Sequence, residues 1–259
     1  MRTSNPVLTR LSAHAAGGTA APEAVGYPTE PGLAGAAPPA VRAMTVDDVV
    51  VRTIGLLSLV ALSGAATWAL MPVGSRLWFV AMVVNIVFGL VIGFKRVTNP
   101  YVLGTFAVIE GVFVGGVSKY YEAFLNGIVL QAVLATVMVF LLMSVLYKSR
   151  VIRATPKFLR VMYGALAAAA AVILINFVIT MVTGSPTFLR DGGPIAIIVS
   201  LVFIVLAALS FIVSFHEVEQ GVRHGIPERY AWHAAFGILV SLVWLYLEIL
   251  RLLSYLNSE

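Results

Sequence analysis

The stretch GALAAAAAVILINFVITMV, residues 164–182, decides the fold. It carries no charged side chain, and its apolar residues run on without the alternation of a half-buried strand. A transmembrane strand needs only about ten alternating residues. A helix needs about 20 apolar residues to cross a hydrocarbon core of roughly 30 Å. The stretch reads as a membrane-spanning helix, and a bundle of such helices is one of two ways to satisfy the backbone in lipid.

Working outward, the same reading applies six more times. Apolar segments fall at 49–71, 77–94, 100–123, 127–147, 158–182, 194–215 and 230–256. Turn and charge signals separate them: Pro72-Val73-Gly74, Lys95-Arg96, Asn126-Gly127, Pro156-Lys157, residues 184–193 and residues 223–229. The expectation is an all-α, polytopic membrane protein, a bundle of seven transmembrane helices. The 259-residue chain is 60% hydrophobic and only 11% charged, against about 25% charged in a soluble domain. The absence of cysteine excludes disulfides, thiolate metal sites and cysteine nucleophiles. Residues 1–43, rich in Gly, Ala, Pro, Ser and Thr, read as a disordered cytoplasmic tail, and residues 44–259 as the membrane domain.

The basic pI near 9.6 points to topology, not to nucleic acid, because Lys and Arg cluster in short loops between apolar runs. With the N-terminus inside, thirteen basic residues face the cytoplasm, and Arg76, Lys119 and Arg190 face out; Arg251 lies within the last helix. The expected setting is a bacterial plasma (inner) membrane with a cytoplasmic N-terminus and an external C-terminus. Small residues nominate helix contacts: Gly89 with Gly93, Gly111 with Gly115, and the alanines of 165–171.

Motifs for chemistry are missing. The seventh helix has no lysine for a retinal Schiff base, His216-Glu217 lacks the second histidine of H-E-x-x-H, and no G-x-S-x-G elbow occurs. No enzyme and no cofactor is expected. Glu110, about ten residues into the third helix, is a carboxyl group at membrane depth, and two readings stand for it: a functional group, or a protonated and merely hydrogen-bonded one. His216, Glu217 and Glu219 close the sixth apolar run in FIVSFHEVEQG, residues 211–221. Two readings stand for them: a solvated helix end, or a titrating or cation-binding cluster. Glu248 and Arg251, three apart, read as a local ion pair, and Asn85 and Asn176 as interhelical hydrogen-bond formers.

Three stretches together carry a family likeness: MTVDDVVVRTIGLL from residue 44, NPYVLGTFAVIEGVFVGGVSKYYEAFLNGIVLQAVLATVMVFLLMSVLY from residue 99, and GVRHGIPERYAWHAAFGILVSLVWLYLEILRLLSYL from residue 221. In this order they resemble Bax inhibitor/YccA-like membrane proteins of actinobacterial type, over residues 43–256. The resemblance implies one seven-helix domain with the last helix in the middle of the bundle. It further implies, for some members, a pH-sensitive calcium leak sensed by paired aspartates on the sixth and seventh helices, and for the YccA branch restraint of a membrane-anchored protease. The implied partners are the bilayer and such a protease, with calcium bound or transported and the oligomeric state left open. At the aspartate positions this chain has His216 or Ser214 on the sixth helix and Ser241 or Glu248 on the seventh. Counted from Arg229, Ser241 lies about 18 Å in and Glu248 about 28 Å in, which favours Ser241. Glu110-Gly111 also resembles the family pattern.

Overall fold

The computed structural model describes residues 42–72, 75, 77–184 and 192–257. Residues 1–41 of the expected tail lie outside the described residues, as do Arg76 and Arg190 of the orientation count. Among the described residues seven α-helices follow in order: α1 (Val46–Leu70), α2 (Leu77–Lys95), α3 (Pro100–Phe124), α4 (Ile128–Lys148), α5 (Pro156–Thr183), α6 (Pro194–Arg223) and α7 (Ala231–Asn257). A single 3-10 turn, Glu228–Tyr230, leads into α7. Each of the seven is long and apolar enough to cross a membrane, and no strand occurs among the described residues. The bilayer is the environment of this protein.

The expected spans fall within about three residues of these bounds, with one correction. The sixth, expected over 194–215, runs on to Arg223. Its polar end stays helical because Arg223 Nη2 donates to Glu219 Oε1 one turn earlier, at 2.5 Å, and because neighbouring helices hold its acidic groups. The chain is also tied to the bundle slightly before residue 44. Glu228 N–H donates to the Arg42 carbonyl at 2.9 Å, and Met44 N–H to the Ile226 carbonyl at 2.8 Å. Arg42 and Arg52 both pair with Glu228, at 3.6 and 2.5 Å.

Local chemistry sets the helix ends. Thr45 and Asp48 form a reciprocal cap on α1. Asn99 caps α3 and Thr155 caps α5, each followed by a proline in the first turn, where a missing N–H costs nothing. Helix α1 ends without a basic residue of its own. Lys119 of α3 supplies one instead, donating to the Trp68 and Met71 carbonyls at 2.6 Å each.

The last helix is central, as the resemblance implies. It packs against α1, α3, α4 and α6. Leu239, Leu245 and Leu250 are fully buried, and Leu239 joins Phe106, Leu103 and Leu56 in one apolar cluster. The tightest approach is α1 on α3. Gly64 lies against Gly111 and Gly115 so closely that a side chain at either would meet backbone. The other small-residue expectations hold unevenly. Gly89 faces the Phe106 ring, whereas nothing approaches Gly93. Along 165–171 only Ala169 is buried, because α5 rests on α6 alone among its substantial neighbours.

Candidate functional site

The polar groups kept at depth sort into separate places. Glu110 is buried in α3, 7% exposed, with no hydrogen bond or ion pair to any described residue. Helices α2 and α3 run antiparallel from a short turn. Asn85 stands ten residues before the end of α2 at Lys95, and Glu110 ten after the start of α3 at Pro100. Both therefore lie about 15 Å from that turn. Contacts on either side fix the register: Gly89 against the Phe106 ring, and Trp78 against Gly116. Asn85 is one turn from Gly89, and Glu110 one turn from Phe106, so both belong to the facing surfaces of this helix pair.

Asn85 Oδ1 is buried and makes no hydrogen bond, which corrects the expectation that Asn85 bonds across helices. By helix register its level in the bundle is that of Glu110. Two buried polar groups without a hydrogen bond among the described residues thus share one level of the bundle. Asn176 is buried in α5.

The cluster in α6 sits elsewhere, within two turns of the helix end. Tyr163 of α5 donates its hydroxyl to Glu217 at 2.6 Å, and Tyr147 of α4 donates to Glu219 at 2.5 Å. Glu219 also takes the Arg223 guanidinium. The two acids clamp α6 to its neighbours on both sides. His216 is half-buried on the wall of a cavity of about 350 Å³ that Glu219, Arg223 and the α4–α5 connection complete. Ser214 is half-buried.

Neither His216 nor Ser214 meets Ser241. Ser241 is buried and accepts a hydrogen bond from Ser210 of α6 at 3.0 Å. Of the two seventh-helix candidates, Ser241 thus belongs to an uncharged serine pair. Glu248 is 2% exposed, and both its oxygens lie 2.7 Å from Arg251 Nη1 on the same helix. This is the local ion pair that their spacing suggests. No group of three His, Asp or Glu side chains able to hold a metal comes together among the described residues.

Sequence reading missed the placement of Asn85 and four further participants, Tyr147, Tyr163, Ser210 and His233. Asn85 belongs with Glu110 because of helix register, which the sequence does not print. Tyr147 and Tyr163 stand near the facing ends of α4 and α5, where an aromatic residue reads as an interface anchor. Ser210 is an ordinary mid-helix serine whose partner lies 31 residues away. His233, whose Nδ1 is buried without a partner at the start of α7, carried no signal beyond its type.

The family described as Bax inhibitor 1 like matches residues 5–258, essentially the whole length. No curated protein matches the chain. Seven spanning helices, a central last helix and this match agree, and the chain belongs to the Bax inhibitor 1 like family.

Proposed function

We propose that this integral membrane protein is a non-enzymatic cation leak of the bacterial plasma membrane, and that its intramembrane site is Glu110 with Asn85. The observation that carries the reading is a buried Glu110 carboxyl group and a buried Asn85 amide oxygen at one depth, both without a hydrogen bond among the described residues. Unpaired oxygen acceptors in a low-dielectric site attract a hard cation, and calcium takes oxygen ligands alone. It needs six to eight of them. Two protein groups are too few to hold it firmly, so the ion passes with water rather than stays. Protons compete for the same carboxylate, which makes the leak responsive to pH. His216 and Glu219 stand at the mouth of the bundle on the basic side, in the position of an entry gate and not of the binding group. The thirteen-to-three distribution of basic residues supports a cytoplasmic N-terminus.

The test is calcium entry into proteoliposomes holding the full chain, compared with Glu110→Gln. Loss of most of the flux in the variant supports the site. Equal flux in the two, or none above protein-free vesicles, overturns it.

A second reading has its own observation. The outward surface of α5 offers Gly164, Ala167, Ala168 and Ala171 to the lipid, a smooth face with no helix on it. Such faces admit close helix approach, which suits a regulator bound to a membrane protease or quality-control complex. Co-purification from native membrane with wild type and Ala168→Leu distinguishes the readings. A partner lost in the variant supports the second, and no partner in either rejects it.

A further inference from the structure

Helices α1 and α4 both lean on α7 and leave a lateral cleft between them. Near the basic loops it forms a cavity of about 720 Å³ walled by Val49, Ile54, Leu57, Phe140, Phe215 and Val222. Farther along, a second apolar cavity of about 730 Å³ shares Leu57 and Phe140 with the first and reaches Trp68. From Val46 to Trp68 the slot runs along about 33 Å of α1, close to the full hydrocarbon thickness.

The mouth of this cleft is basic. The first cavity shares Tyr147, Glu219 and Arg223 with the 350 Å³ cavity under the α4–α5 connection. That smaller space is lined by Lys148, Arg150, Arg153, His216 and Arg223 against one acid, Glu219. Glu219 is already occupied by Tyr147 and Arg223. Lys148, Arg150 and Arg153 have no ion-pair partner among the described residues, so the cavity keeps an uncompensated positive charge.

We propose that the joined cavities are a binding site for one anionic phospholipid, its phosphate among Arg150, Arg153 and Lys148 and an acyl chain laid along the α1–α4 cleft. A free anion uses only the basic part, and a neutral lipid leaves those charges unmet; a molecule with both ends uses the whole site. Basic pockets at the membrane surface select anionic headgroups, each Lys or Arg being worth about fivefold in affinity. A transmembrane helix is the poorer occupant. An apolar span would fill the cleft but bring no anion to Lys148, Arg150 and Arg153 at its mouth. Glu110 lines none of these cavities, whereas His216 and Glu219 at the end of α6 belong to the basic mouth.

The experiment is native mass spectrometry of the full chain in detergent, titrated with phosphatidylglycerol, with phosphatidylcholine of the same acyl chains, and with glycerophosphoglycerol, the headgroup alone. One phosphatidylglycerol is expected to stay bound where phosphatidylcholine and the headgroup do not. The double variant Arg150→Gln/Arg153→Gln is expected to weaken retention roughly twenty-five-fold. Lys157→Gln/Arg160→Gln, nearby but not lining the cavity, should leave it unchanged, and Ile54→Trp, which fills the cleft, should abolish it. Gel filtration and melting temperature verify that each variant is folded. Equal retention of the two lipids overturns the proposal, as does headgroup binding as tight as the lipid's. Equal loss in both double variants, or a dimer mass that disappears in Ile54→Trp without lipid release, overturns it too.

Discussion

Replacing Gly115 by alanine adds one methyl group where α3 packs backbone to backbone against α1. The new Cβ would meet the Gly64 carbonyl oxygen, with Gly64 Cα at 2.8 Å and its carbonyl carbon at 2.9 Å. All three obstacles are backbone, so no side chain can swing away; α1 and α3 must separate. Overpacking of this kind costs about 1–3 kcal/mol, and a backbone obstacle places it at the upper end. Against that, alanine is favoured over glycine in a helix by about 1 kcal/mol. The net expectation is a destabilisation of about 2 kcal/mol. Gly93→Ala is the matched control, since nothing lies within 4 Å of the added atom and the helix term alone remains. It should be neutral or slightly stabilising. Thermal unfolding of both variants in the same detergent reads the difference, with Gly115→Ala melting several degrees below wild type. If the two variants melt together, the α1–α3 contact does not hold the bundle and the packing argument fails.

Two other substitutions follow from groups placed inside the bundle. Glu248→Leu leaves the Arg251 guanidinium without its carboxylate in a largely buried position, and should cost about 3–5 kcal/mol by thermal or chemical unfolding. Adding Arg251→Met should restore most of the loss, because the desolvated charge is then gone. Lys119→Met removes both donors from the end of α1 and should cost about 1–3 kcal/mol. Its signature is local: hydrogen exchange should quicken in the last turn of α1, at residues 67–71, while α7 stays protected.

What could be read from the sequence follows the range of each interaction. A spanning helix satisfies its own backbone, so residues 164–182 declare themselves without reference to any other segment. Caps are equally local, and Thr45-Asp48, Asn99-Pro100 and Thr155-Pro156 stand where the helices begin. The Glu248–Arg251 pair spans a single turn and was legible for that reason. Contacts between helices were not. Asn85 and Glu110 share a level only because the α2–α3 turn sets their register, and the alanines of α5 face outward because α5 finds one neighbour rather than two. The apolar end of α6 looked like a boundary since hydropathy falls there. Tyr147 and Tyr163, on other helices, are what carry it further.

Calcium flux into proteoliposomes of three proteins bears most directly on the central claim: wild type, Glu110→Gln, and the double variant His216→Ala/Glu219→Gln. The mid-membrane carboxyl group is predicted to govern passage, so flux should collapse in Glu110→Gln and persist in the double variant. Full flux in Glu110→Gln with collapse in the double variant would put the binding group at the end of α6 and contradict the account.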